Sequence, residues 1–168
     1  MNSTDLVLLT FLFLHIGGAI VAFGPTFAFP IIGAMGGKEP QHVNFAIRLT
    51  YRLSERMVLP VAIWVGLTGI ALIWRSGHSV TEVWLGLGIL FYVIALSISL
   101  FVMLPNARAL IAATSGPPPT PAPGSALPSG PPAHLVALIK RQQMAGMVVS
   151  LLIVLIVIMM VFKPGAPT

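Results

Sequence analysis

Four apolar stretches, at about residues 6–29, 57–74, 83–104 and 144–162, leave a chain of 168 residues little choice of fold. Each is long enough to cross roughly 30 Å of hydrocarbon, which takes about 20 residues as a helix. Lipid offers backbone amides no partner, so a spanning segment closes its hydrogen bonds within itself. The expected fold is all-α: a polytopic membrane protein, one domain over 1–168, folded as a four-transmembrane-helix bundle. Hydrophobic residues make up 57% of the chain and charged residues only 8%, which excludes an ordinary soluble domain.

The basic residues set the topology. Lys38, Arg48, Arg52 and Arg56 follow the first span, and Arg108, Lys140 and Arg141 flank the third connection. Only Arg75 and Lys163 lie on the other side. Seven against two places the first and third connections in the cytoplasm and both termini outside, in a bacterial cell membrane. The net charge of +5 is absorbed by this asymmetry, so no nucleic-acid partner is implied. The amino terminus has no Lys or Arg before its apolar run and reads as a retained first span.

Helix punctuation fits these limits. The second helix is expected to start near Pro40 and project beyond the bilayer, with a kink at Pro60. Ser79-Val80-Thr81-Glu82 fits a capping box opening the third span. Trp74 and Trp84 fall where aromatic anchors meet the outer headgroups. Eight prolines between Gly116 and Pro132 exclude a helix or strand and predict a disordered or polyproline spacer. No internal repeat is strong enough to argue from.

Among Asp, Glu, Lys, Arg and His residues, only His15 lies inside an apolar stretch, in FLFLHIGGAIVAF. A polar ring at bilayer depth needs a helix interface, a cavity or a bound group. Helical spacing puts Phe11, Gly18, Ala19 and Ala22 on its face, a groove of small residues. One reading is a neighbouring helix, with the imidazole bonded to a carbonyl or to a hydroxyl such as Thr68, Ser97, Ser99 or Ser150. Another is axial ligation of a b-type haem, with His15 on the iron and Gly18 and Ala22 making room. A proton relay or a copper conduit is a third. For the haem reading, Arg52 or Arg56 would meet the anionic edge of the ligand, where a planar guanidinium suits a carboxylate. The same arginines also read as membrane anchors, with Arg52 paired to Glu55.

Other candidates carry less. Met57, Met103, Met144 and Met147 are soft ligands by chemistry but more often fill packing gaps. His42, His78 and His134 fall in connections and are expected to face water. There is no cysteine, which removes disulfides, iron–sulfur clusters and thiolate-bound haem. No paired-carboxylate constellation, nucleophile elbow or phosphate loop is present, so the chain does not read as a hydrolase or phosphoryl-transfer enzyme.

Two segments, FLFLHIGGAIVAFGPTFAFP and RLTYRLSERMVLPVAIWVGLTGIALIW, resemble the bacterial integral-membrane family of domain of unknown function 2269. More distantly, they resemble the haem-containing four-helix protoporphyrinogen oxidase family and copper-resistance D-type membrane domains. The oxidase resemblance implies a haem-binding first-helix histidine, matched by His15. That family's basic third-helix residue has no counterpart in LGLGILFYVIALSISLFVML, so the resemblance implies haem binding in a redox-accessory role rather than catalysis. The rival expectation is a cofactor-free structural or assembly subunit, with a homo-oligomer or a membrane complex as partner.

Overall fold

The computed structural model describes residues 3–116 and 131–165, and among these every regular element is helical. Residues 117–130 of the Pro-rich stretch lie outside the described residues. Four rods are long and apolar enough to cross a membrane: Asp5–Lys38, Val43–Ser76, Val83–Thr114 and Ala133–Phe162.

Three of the four rods are broken. The first consists of α1 (Ser3–Phe23), a 3-10 turn at Gly24–Phe27 and α2 (Phe29–Lys38). A short 3-10 turn at Pro40–His42 leads into the second, which is α3 (Val43–Leu53), a π-helical turn at Ser54–Val58 and α4 (Leu59–Ser76). The third is α5 (Val83–Ile98), a π-helical turn at Ser99–Met103 and α6 (Leu104–Thr114). The fourth, α7 (Ala133–Phe162), runs unbroken for 30 residues.

Proline explains the breaks. A proline ring strikes the carbonyl four residues earlier and donates no hydrogen bond. Widening the turn moves that carbonyl aside, and both π-turns end just before Leu59-Pro60 and Leu104-Pro105. The Leu59 amide then bonds the Ser54 carbonyl, and the Leu104 amide bonds that of Ser99. The kink expected at Pro60 is thus a π-turn. The fold also reveals a short internal repeat, Ser-x4-Leu-Pro at residues 54–60 and 99–105, that the bare sequence does not announce.

These breaks divide the molecule into two layers. On one side lie α1, α4 and α5, of 21, 18 and 16 residues. On the other lie α2, α3 and α6, of 10, 11 and 11 residues, beside the start of α7. The second rod has 34 residues, or about 51 Å at roughly 1.5 Å per residue, so about 20 Å exceeds the bilayer core. The arginines assign that excess to the α3 end. The second rod thus begins close to Pro40, and 6–29, 57–74, 83–104 and 144–162 each fall within a longer rod.

Packing proceeds in pairs. α1 lies along α4 and α5 lies along α7, while in the basic layer α3 bridges α2 and α6, and α6 reaches α7. Buried Leu59, Ala62, Val65, Ala95, Val149, Leu152, Ile153 and Ile156 form the core. Elsewhere large apolar side chains such as Phe13, Ile20 and Phe101 face outward, as a chain solvated by lipid requires.

Two expectations at the opposite end are corrected. α5 begins at Val83, and the Ser79 hydroxyl accepts from the Thr81 amide at 3.3 Å rather than from the Glu82 amide. Only the reciprocal half of the box forms, the Ser79 amide donating to Glu82 Oε1 at 3.0 Å. Trp74 is 87% exposed, as an anchor should be, but Trp84 is buried. Its indole N–H donates to Glu82 Oε2 at 2.8 Å, and Lys163 Nζ lies 5.2 Å from its ring centre. Lys163 reaches that position from a left-handed residue closing α7, with φ of 43°.

Candidate functional site

His15 sits midway along α1 and faces the middle of α4. Its Nδ1 lies 3.0 Å from the Val65 carbonyl oxygen and 3.1 Å from Thr68 Oγ1. A carbonyl only accepts, so this geometry requires the proton on Nδ1. Thr68 in turn turns its hydroxyl back to the Trp64 and Val65 carbonyls, both at 3.0 Å, and is itself buried. Such back-bonding is how a threonine satisfies itself within a helix when no water is near. The histidine ring lies over Gly69, where a Cβ would come within 3.2 Å of Cε1. The helix-interface reading had named Thr68 and a carbonyl as partners. Ser99 instead bonds the Ala95 carbonyl of its own helix at 2.8 Å.

The groove of small residues beside His15 is filled. A Cβ on Gly18 would lie 2.9 Å from Val65 Cγ2, with Trp64 and Val61 next nearest, and Ala22 is fully buried. α4 therefore packs directly against the face on which a haem would need an open slot. The arginines do not converge there either. Arg56 is nine residues and Arg52 thirteen residues from Val65, or about 13 and 20 Å along the rod axis. Both side chains are exposed at the basic end, and Arg52 pairs with Glu55 at 3.9 Å. The slot expected beside Gly18 and Ala22 for a b-type haem is closed by α4.

A second polar cluster ties α3 to α6 at the basic end. Tyr51 donates its hydroxyl to Glu55 Oε1 and accepts from Arg108 Nε at 2.8 Å. Arg108 Nη2 lies 3.5 Å from Glu55 Oε1 and its guanidinium stands 5.8 Å from the Tyr51 ring centre. The Arg52–Glu55 pair follows from i,i+3 spacing, but Arg108 stands 53 positions after Glu55 and carries no local signal. Nearby, Asn44 Nδ2 donates to Thr114 Oγ1 at 2.9 Å, and buried Asn106 donates to the Leu138 carbonyl and Gln142 Oε1, both at 2.9 Å.

The remaining candidates scatter. His42 is exposed beside Glu39, at 3.7 Å, and His78 meets Glu82 at 3.1 Å. His134 lies in the first turn of α7 rather than in a connection, and is exposed. Met144 and Met147 are 65% exposed on α7. Met103 packs toward Gly146, a gap-filling role. Among the described residues, no three His, Asp or Glu side chains are grouped so as to hold a metal ion.

An apolar chain of four membrane-length helices, tied by one histidine inside and by polar clusters at its ends, has the architecture of an integral membrane protein. No curated protein and no solved structure is significantly similar to it. A family model described as "Predicted integral membrane protein (DUF2269)" matches residues 9–164, and the chain belongs to that family.

Proposed function

We propose that the protein is a cofactor-free structural subunit of a membrane assembly, in which His15 is the tie between the first and second spans. The observation that carries this reading is the double bond of Nδ1 to the Val65 carbonyl and Thr68, with Val65 closing the groove over Gly18. A polar bridge between membrane helices is typically worth about 0.6 kcal/mol and at most about 1.7 kcal/mol. That suits a registering contact. By the distribution of its basic residues, the layer of α2, α3 and α6 faces the cytoplasm and both termini face outside.

Absorption spectra of detergent-purified wild type and His15→Ala, oxidised and dithionite-reduced, test the cofactor-free part. The expected result is colourless wild type after expression with a haem precursor. A Soret band lost in the variant overturns it. Native gel mobility of solubilised membranes tests the assembly part: migration as a complex containing a second protein supports it, and migration as an isolated chain rejects it.

A further inference from the structure

In the layer of α2, α3 and α6 an apolar groove is left uncovered by the described residues. It lies between α2 and α3, has a volume of about 230 Å³, and is lined by Ile32, Met35, Phe45, Ala46 and Leu49, with Glu39 and His42 at one end. Around it Ile31, Met35 and Phe45 are 64%, 62% and 61% exposed. Exposed apolar surface is unremarkable on a lipid-facing helix. Here, however, it lies in the segment that rod length and the arginines place outside the hydrocarbon, where a charge-rimmed apolar patch marks an interaction site.

The spacing of the groove continues into charge. Positions 45, 49 and 52 of α3 follow 4-3 spacing on one helical face, with His42 in the 3-10 turn before it and Arg56 in the π-turn after it. That face begins apolar at Phe45 and Leu49 and runs into Arg52 and Arg56, with exposed Arg48 alongside and exposed Lys38 at the end of α2. The single carboxylate at the groove, Glu39, is next to His42 at 3.7 Å. The volume is below the roughly 300–1,000 Å³ of drug-sized ligand sites, so it suits side chains of a partner. Two packed helices with a furrow between them and a cationic rim match an amphipathic helix with apolar anchors and acidic flanks.

We infer that the α2–α3 groove docks an acidic amphipathic helix of another protein, with apolar side chains against Met35, Phe45 and Leu49 and carboxylates on Arg48 and Arg52. The inference rests on the assembly reading and identifies the surface and the chemistry of the partner. A membrane lipid is disfavoured because the groove lies on the far side of Arg52 and Arg56 from the hydrocarbon.

A photo-crosslinking amino acid in place of Met35 or Leu49, in the full chain in its native membranes, tests this. Sequencing the crosslinked peptide is expected to give a segment of another protein with helically spaced apolar residues flanked by Asp or Glu. Arg52→Glu should lower the crosslink yield at least fivefold while Arg52→Lys keeps most of it, and both variants should elute like wild type in detergent. A crosslink to lipid, to a second copy of this chain, to a basic segment, or none at all overturns the inference. A native complex that persists without such a crosslink would leave the assembly reading standing and remove only this surface.

Discussion

His15 and Gly69 share one site: the imidazole occupies the space a side chain at position 69 would take, with Cε1 within 3.2 Å of where its Cβ would lie. The pair makes the histidine's position dependent on a residue that forms no bond to it. Gly69→Ala is expected to cost about 1 kcal/mol and Gly69→Val up to about 3 kcal/mol by crowding the ring off the Val65 carbonyl. In a His15→Ala background most of that cost should vanish. Unfolding in mixed micelles, read as a double-mutant cycle, checks the coupling, and additive losses would contradict the shared site.

Thr68 anchors the other side of the bridge. Thr68→Val keeps shape but removes the hydroxyl, and should cost about 0.6–1.7 kcal/mol in the same unfolding measurement. Because Nδ1 still has the Val65 carbonyl, the loss should be smaller than that of His15→Ala.

Gly66 and Gly88 make a contrast in what yields. A Cβ at 66 would fall 2.5 Å from the Tyr92 hydroxyl, which donates to the Ala62 carbonyl at 2.9 Å. A Cβ at 88 would meet only the terminal methyl of Met160, also at 2.5 Å. A phenol pinned by a hydrogen bond cannot retreat cheaply, whereas a thioether end can. Gly66→Ala should cost about 1–3 kcal/mol and Gly88→Ala about 1 kcal/mol or less. Equal melting shifts for the two would refute this.

Glu82 carries the pH dependence of the end opposite the arginines. Partial desolvation pushes its carboxyl up, but the Ser79 amide, the Trp84 indole and His78 together outweigh that and hold it below its usual value of 4.5. A lowered carboxylate contributes stability above its unfolded pKa, and the contribution is lost as pH falls through the folded value. Trp84 fluorescence should therefore change as pH falls below about 4.5. Glu82→Gln should abolish the acid transition, and an unchanged titration would overturn the assignment.

How much was legible beforehand differs by residue. His15 stands out because a single ionisable ring within an apolar run is costly, and Thr68 could be named because membrane hydroxyls are the usual partners. Gly69 and Val65 could not, since which α4 residues oppose His15 depends on the register between two rods. Arg52–Glu55 follows from local spacing, while Arg108 reaches Tyr51 only after the second and third rods pack. Trp84 has the composition of a lipid anchor, yet its neighbours Glu82, His78 and Lys163 bury it.

The sequence by itself determined that the chain is an all-helical, four-span membrane protein, because lipid permits apolar runs of that length only as helices. It also determined which end is basic and where proline must disturb a helix. Only the tertiary structure decided that the breaks fall in one layer, that the groove beside His15 is closed by Val65, and that α2 and α3 leave a furrow open. Each of these depends on the register and rotation of one rod against another. Side-chain packing sets those quantities, and no periodicity within a single helix encodes them.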